Sequence, residues 1–311
     1  MRRGLISVAS LAEQLVSRKD VRVVDATWFL PNSPFAAPAP YASGREAFEA
    51  GPRVPGAAFW DLDEHSDATT APDTPHNLPD AAQFAAPRRP RRHRSASPGR
   101  VCYDQVGTFS SPRLWHTLRA YGFADVAVLD GGSRPGSRAR GRPGARRRRA
   151  ARRARPPTRS SPAPSGASAT CGTGSPRTRR NGPSSWTPAR PAGRRGLGAE
   201  PLPGCRSGHA PGAVNAPFLD FLEPNPSRAD GGPGGPFRGA TLKDDRGVAE
   251  AFAAAGVDPK SPCALSCGSG LTAAVVALAL HRLEGNDAPI YDGAWCEYEA
   301  DGDLPVVEGA A

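Results

Sequence analysis

The sequence predicts an α/β protein with two tandem domains, each a parallel sheet flanked by helices. Two observations support this class: short β-rich runs alternate with helical runs, and the second half repeats motifs of the first. Along the first half, residues 21–26 are predicted as a strand, 111–121 as a helix and 126–129 as a strand. Strands that alternate with helices indicate a parallel sheet, because parallel strands need a crossover connection.

Three pairs of short motifs carry the internal repeat. They occur in the same order and at nearly the same offset: 53–61 with 209–218, 101–104 with 264–267, and 128–132 with 289–293. Matches of this kind indicate tandem copies of a single domain. The copies differ in chemistry, because Asp104 lies where the second copy has Cys267. We therefore expect the second copy to be catalytic and the first to form part of the pocket wall.

The segment around Cys267 is the strongest functional signal. A short apolar run ends in this cysteine, a small glycine-rich turn follows, and an apolar helix is predicted from Leu271. This order places a thiol at the mouth of a strand–loop–helix unit, facing backbone N–H groups and the positive end of a helix dipole. Both favour the thiolate, the reactive form of cysteine. The pattern predicts covalent sulfur chemistry.

Composition excludes several classes of protein. No run of the 311 residues has the apolar length needed to span a bilayer, and no early stretch is typical of a signal peptide. The six cysteines form no CxxC pair and have no histidine at zinc-ligand spacing. These features predict a soluble cytoplasmic protein without a metal or organic cofactor.

The net charge of +10 comes from two arginine-rich tracts. Residues 81–103 and 131–199 hold 24 of the 40 basic residues and no acidic one, so the remainder is acidic, with 16 basic against 30 acidic residues. Within these regions, residues 87–100 and 133–188 show no helix or strand periodicity and are predicted to be irregular. A proline at position 188 further disfavours the strand expected near 184–190.

Three interpretations of the arginine-rich tracts compete. They could be a nucleic-acid-binding insertion, a disordered linker, or GC-rich coding sequence translated in a shifted reading frame. We favour the shifted frame, because the tracts replace expected elements at about the expected length. Nucleic-acid binding is disfavoured, since no aromatic residues are interleaved with the arginines to stack on bases.

Several motifs resemble the tandem-domain rhodanese family, in particular its 3-mercaptopyruvate sulfurtransferases. The motifs occur in the family's order and are RVPGAAFWDLD at 53–63, FSSPRLW at 109–115, SGHAPGAVN at 207–215, CGSGLT at 267–272 and YDGAW at 291–295. The resemblance covers roughly residues 5–86, 101–132 and 189–306. It implies two rhodanese-like domains, with Cys267 as the nucleophile that carries sulfur as a persulfide.

The resemblance also implies a proton relay. In the mercaptopyruvate enzymes a loop serine works with a histidine and an aspartate of the first domain, and the matching residues here are Ser269, His76 and Asp63. The relay is chemically reasonable, because cleaving the C–S bond leaves an enolate of pyruvate that must be protonated. The small, neutral residues after Cys267 favour mercaptopyruvate over the thiosulfate dianion.

Substrate binding is assigned by the same resemblance. An arginine fork matches a planar carboxylate, and Arg194 occupies one of the family's two clamp positions, whereas the second position holds Leu202. The backbone amides expected to stabilise the anion are those of Gly268, Gly270, Leu271 and Thr272.

These inferences predict three segments and one reaction. Residues 1–132 form a non-catalytic domain, 133–188 an Arg/Pro-rich linker, and 189–311 the catalytic domain. The predicted enzyme moves sulfur from 3-mercaptopyruvate through a Cys267 persulfide to cyanide or a thiol acceptor such as thioredoxin, and it releases pyruvate. The alternatives are a thiosulfate:cyanide sulfurtransferase and an inactive, basic nucleic-acid-binding protein.

Overall fold

A computed structural model describes most of the chain outside the arginine-rich tracts. It covers residues 3–31, 33, 35–38, 40–67, 74–79, 99–132, 207–225 and 237–308, and the backbone of a strand at 186–188. In these residues helices pack on parallel sheets, so the predicted α/β class is confirmed. None of the described helices is both long and apolar enough to cross a membrane.

The described residues of the first half form one five-stranded sheet. Its strands are β1 (Leu5–Ile6), β2 (Arg22–Asp25), β3 (Ala58–Phe59), β4 (Arg100–Tyr103) and β5 (Val126–Leu129). They are all parallel, in the order β1-β5-β4-β2-β3. Every residue of β5 and three of the four residues of β4 are buried, as expected for central strands covered on both faces. The chain leaves β2 and β4 at the same edge, where parallel α/β sheets form their sites.

Among the described residues, four helices accompany this sheet: α1 (Val8–Ser17), α2 (Gly44–Ala50), α3 (Leu62–His65) and α4 (Ser111–Ala120). Side-chain N-caps begin three of them. The cap of α3 is Asp61, whose carboxylate accepts hydrogen bonds from the backbone N–H groups of Asp63 and Glu64. This local cap fixes Asp63 in the first turn of α3, directly after β3.

The second half contains a smaller set of described elements. They are β6 (Trp186–Pro188), a 3-10 helix (Phe218–Phe221), β7 (Leu222–Glu223), β8 (Thr241–Leu242), α5 (Asp245–Ala254), β9 (Ala264–Ser266), α6 (Ala273–Glu284) and α7 (Ala294–Ala300). β6 pairs in parallel with β9, and Ile290 forms a parallel bridge to Leu265. β7 and β8 are antiparallel. The thiol-bearing loop therefore follows a parallel strand, as predicted.

Two strands include residues at the edges of the arginine-rich tracts. Arg100, predicted to be irregular, is the first residue of β4, where it pairs with Asp125 at 3.0 Å and lies over the Phe123 ring. Trp186–Pro188, predicted not to form a strand, pairs with Ala264–Ser266 as β6. Among the described strands β6 pairs only with β9, and an edge strand is one of the places where a sheet tolerates proline. The other residues of 87–100 and 133–188, except Gly99, lie outside the described residues.

One hydrophobic core joins the two halves. The ring of Phe35 stacks on Phe109 with centroids 4.5 Å apart, and the Phe218 ring lies 6.0 Å from Phe109. Helix α4 of the first half packs against α6 of the second. All residues from Ala273 to Leu280 are buried, which is the pattern of a helix surrounded by core. This shared core fixes the loops of one half against those of the other.

Candidate active site

The first half contains a loop that holds a buried anion. The fully buried carboxylate of Asp104 follows β4 and accepts hydrogen bonds from the backbone N–H groups of Val106 (3.0 Å), Gly107 (2.6 Å), Phe109 (3.1 Å) and Ser111 (2.9 Å). The hydroxyl of Ser111 adds a fifth at 2.6 Å. Backbone donors arranged in this way bind an anion. The loop after β4 thus surrounds a side-chain carboxylate with backbone N–H donors at the edge of the sheet.

We expect Asp104→Ala to lower the free energy of unfolding by about 3–5 kcal/mol, because several buried donors lose their acceptor at once. Urea unfolding followed by circular dichroism measures the effect. The matched control is Asp20→Asn, which removes an exposed carboxylate paired with Arg18 and should cost less than about 1 kcal/mol. Equal effects of the two substitutions would show that the Asp104 hydrogen bonds contribute little.

The second loop presents Cys267 directly after β9. The Cys267 side chain is buried, and Leu271 and Thr272 are buried where the loop leads into α6. The carbonyl oxygens of Cys267 and Gly268 accept hydrogen bonds from the backbone N–H groups of Trp295 (2.9 Å) and Cys296 (3.2 Å) in α7. These bonds tie the start of the loop to α7.

Gly270 allows the sharp turn in this loop. Its φ of +77° lies in the left-handed region, which side chains other than glycine rarely adopt. A Cβ at this position would come within 2.9 Å of Arg113 Nη1, so the loop also makes a close approach to the first half. Glycine is therefore needed both for the backbone conformation and for the space.

The structure brings Ser269, His76 and Asp63 into one chain of hydrogen bonds. His76 Nδ1 lies 2.8 Å from Ser269 Oγ, and His76 Nε2 lies 3.2 Å from Asp63 Oδ1. When Nε2 carries the proton and donates to Asp63, Nδ1 is the acceptor for the serine hydroxyl. The three residues come from both halves of the chain, so the arrangement exists only because the halves pack together.

Trp28 supports the far end of this chain. Its indole N–H donates to both carboxylate oxygens of Asp63 at 3.0 Å, and its ring meets the His76 ring edge-on with centroids 4.8 Å apart. The hydrogen bond from His76 is the main cause that lowers the pKa of Asp63 below its ordinary value, and Trp28 adds to it. Asp63 therefore stays ionised at neutral pH and orients the imidazole.

The turn that carries His76 is strained and held at several points. His76 is buried and has a φ of +67°, an uncommon conformation for a residue with a side chain. Its carbonyl oxygen accepts a hydrogen bond from Arg113 Nη2 at 2.5 Å, and the N–H of Leu78 donates to Asp292 Oδ2 at 2.7 Å. Backbone strain of this kind persists where surrounding contacts determine the geometry.

Other predicted site residues have different outcomes. Arg194 and Leu202, the two predicted clamp positions, lie outside the described residues.

Sequence reasoning missed Trp28 and Arg113 as site residues. Trp28 had a usable signal, because it follows β2 at the sheet edge where the site lies. Across the described part of the chain, no group of three or more His, Cys, Asp or Glu side chains is arranged to hold a metal ion.

The chain is similar to curated sulfurtransferases along most of its length. It is 32% identical to human 3-mercaptopyruvate sulfurtransferase, covering 95% of this chain and 92% of the human protein. Identity to the 3-mercaptopyruvate sulfurtransferase of Escherichia coli K12 is also 32%, covering 81% and 82%. Chicken thiosulfate sulfurtransferase is 29% identical, covering 95% and 93%. No family model matches the chain.

Solved structures share the fold. The crystal structure of SseA from Escherichia coli, described as having a rhodanese fold, superposes with a TM-score of 0.59 at 24% identity, covering 94% of this chain and 99% of that one. Tum1 of Saccharomyces cerevisiae gives a TM-score of 0.65 at 21% identity, covering 99% of both chains. These structures confirm the predicted rhodanese-like α/β fold.

Proposed function

The chain belongs to the 3-mercaptopyruvate sulfurtransferase family, and on this premise we propose that it transfers sulfur from 3-mercaptopyruvate to a thiol acceptor through a persulfide on Cys267. The observation that carries the proposal is the Ser269–His76–Asp63 chain of hydrogen bonds, which begins two residues after Cys267. A serine–histidine–carboxylate chain moves protons, and proton transfer is what mercaptopyruvate cleavage needs besides the nucleophile.

The reaction balances with the residues of this site. The Cys267 thiolate attacks the substrate sulfur and forms an S–S bond, while the C–S bond breaks and its electron pair goes to carbon as the enolate of pyruvate. The proton of the substrate thiol passes through Ser269 and His76 to that carbon, which gives pyruvate and leaves a persulfide anion on Cys267. The ionised Asp63 orients His76 and stabilises the positive charge that forms on its ring during the transfer.

The loop amides supply the anion site in this proposal. Gly268, Gly270, Leu271 and Thr272 would donate to the persulfide in the way that the Asp104 loop donates to its carboxylate. The positive end of the α6 dipole adds to the same potential. Two tandem copies of one domain would then use the same loop twice, once around a structural carboxylate and once around a reactive sulfur.

Arg194 is proposed to bind the substrate carboxylate by its guanidinium fork. The second family position holds Leu202, so we expect one arginine clamp and weaker substrate binding. We also propose a cytoplasmic location, a small thiol or thioredoxin as acceptor, a non-catalytic domain at 1–132 and a catalytic domain at 189–311. We further propose that residues 87–100 and 133–188 are translated in a shifted reading frame. The nucleotide sequence tests this, because these codons should encode ordinary helix and strand sequence in another frame.

Turnover on two donors tests the proposed substrate. We expect kcat/KM to be higher with 3-mercaptopyruvate, measured as pyruvate, than with thiosulfate, measured as thiocyanate in the presence of cyanide. The reason is that the loop residues Gly268, Ser269 and Gly270 carry no charge to balance the thiosulfate dianion. A higher kcat/KM with thiosulfate would favour the second candidate, a thiosulfate sulfurtransferase, which the similarity to the chicken enzyme supports.

A further inference from the structure

Arg113 is a buried cation at the contact between the two halves. It lies in α4 and is 1% exposed. Its Nη2 donates to the carbonyl oxygen of His76 at 2.5 Å and to Asp292 Oδ1 at 2.7 Å. Because Asp292 Oδ2 accepts from the N–H of Leu78, Arg113 and Asp292 together bracket the turn at residues 76–78. The turn that carries His76 is thus attached to both halves.

The same guanidinium contacts the loop that carries Ser269. Arg113 Nη1 lies 2.9 Å, and Arg113 Cζ 3.4 Å, from the position that a Cβ of Gly270 would occupy. Among the described residues Nη1 has no hydrogen-bond partner. One rigid group therefore abuts the residue next to Ser269 on one side and the backbone of His76 on the other.

Stability alone does not account for a charge in this position. A buried ion pair loses about as much in desolvation as it gains in attraction, and apolar replacements are often equally stable. What the arginine provides is one planar group whose Nη2 donates to both acceptors while its Nη1 abuts Gly270, an arrangement that a lysine or an apolar side chain lacks. His76 needs such a constraint, since its positive φ is held only by its surroundings.

We propose that Arg113 is the positioning residue of the proton relay: it keeps the His76 turn and the Gly270 turn in register, so that Ser269 and His76 stay within hydrogen-bond distance. This inference rests on the proposed function, because a relay matters only where a carbon must be protonated. Thiosulfate cleavage provides the contrast. It releases sulfite, a stable anion that needs no proton on carbon, so Cys267 and its loop suffice.

Comparing kcat with the two sulfur donors distinguishes a positioning role of Arg113 from a general structural role. Arg113→Lys keeps the charge and removes the planar guanidinium, so kcat with mercaptopyruvate should fall about 10- to 100-fold, as expected for a misplacement of about 1 Å. Thiosulfate kcat should change less than about 3-fold in the same variant. The matched control is Arg119→Lys, also in α4 and also paired across the halves, with Asp287 at 2.8 Å. It should leave both rates within about 2-fold.

A second measurement does not depend on turnover. In ¹⁵N-histidine-labelled protein, with His76→Gln used for assignment, Arg113→Lys should shift the His76 ring nitrogen resonances, whereas Arg119→Lys should not. If wild-type protein cleaves only thiosulfate and this shift is still seen, the proposed substrate fails and the positioning role holds. Three results for Arg113→Lys would each overturn the positioning role: an equal fall in kcat with both donors, no fall in kcat with either donor, or unchanged His76 resonances.

Discussion

We expect Cys267→Ser to abolish sulfur transfer from both mercaptopyruvate and thiosulfate, lowering the rate by at least about 10³-fold. The reason is chemical: a serine hydroxyl at this position is neither a soft nucleophile nor able to hold sulfur as a persulfide. Steady-state formation of pyruvate and of thiocyanate measures the loss. Far-ultraviolet circular dichroism should be unchanged, because the substitution replaces sulfur by oxygen in a side chain of similar shape.

Cys263→Ser is the matched control. Cys263 is also buried, lies four residues earlier just before β9, and has a thiol whose pKa is raised by burial. A buried thiol held in its neutral form is a poor nucleophile, so this variant should keep activity within a few-fold of wild type. Near wild-type activity in Cys267→Ser, or complete loss in Cys263→Ser, would contradict the assignment of the nucleophile.

The second large effect is expected for the relay. His76→Gln removes the group that links Ser269 to Asp63, and kcat with mercaptopyruvate should fall by about 10²- to 10⁴-fold, which is the usual contribution of a general acid–base group. Thiosulfate kcat should stay within about 3-fold of wild type. The measurement is again pyruvate against thiocyanate, made with one protein preparation.

His65→Gln provides the comparison for this variant. His65 lies in α3 near Asp63, but its ring nitrogen is paired with the carbonyl oxygen of Asp61 and not with the relay. Its replacement should leave both rates within about 2-fold. If His76→Gln lowered kcat equally with both donors, the histidine would support the site as a whole and would not carry the proton to pyruvate.

Local sequence predicted the parts of this site that depend on a single segment. The loop from Cys267 to Thr272 lies between a strand and a helix as its pattern indicated, and α6 ends at Gly285 in the left-handed conformation. The family resemblance then predicted a proton relay of Ser269, His76 and Asp63. Their contact could be verified only in three dimensions, because His76 and Ser269 are 193 residues apart in the chain.

Residues that act through tertiary packing were missed. Trp28 reaches Asp63 because β2 and β3 are neighbours in one sheet, and pattern alone does not give that pairing. Arg113 donates to His76 in its own half and to Asp292 in the other, and it abuts Gly270, so its proposed role depends on the contact between the halves. Residues 186–188 were predicted to be irregular and form a strand for a related reason. Their pairing with β9 outweighs the low strand propensity of proline.

Direct observation of sulfur on Cys267 tests whether this cysteine carries the persulfide. Protein treated with one equivalent of 3-mercaptopyruvate, in the absence of an acceptor, is digested and analysed by mass spectrometry while released pyruvate is measured in parallel. We expect the peptide containing Cys267 to gain the mass of one sulfur atom, with one pyruvate released for each persulfide formed. Pyruvate release with no sulfur on Cys267, or with the sulfur on another cysteine, would contradict this expectation.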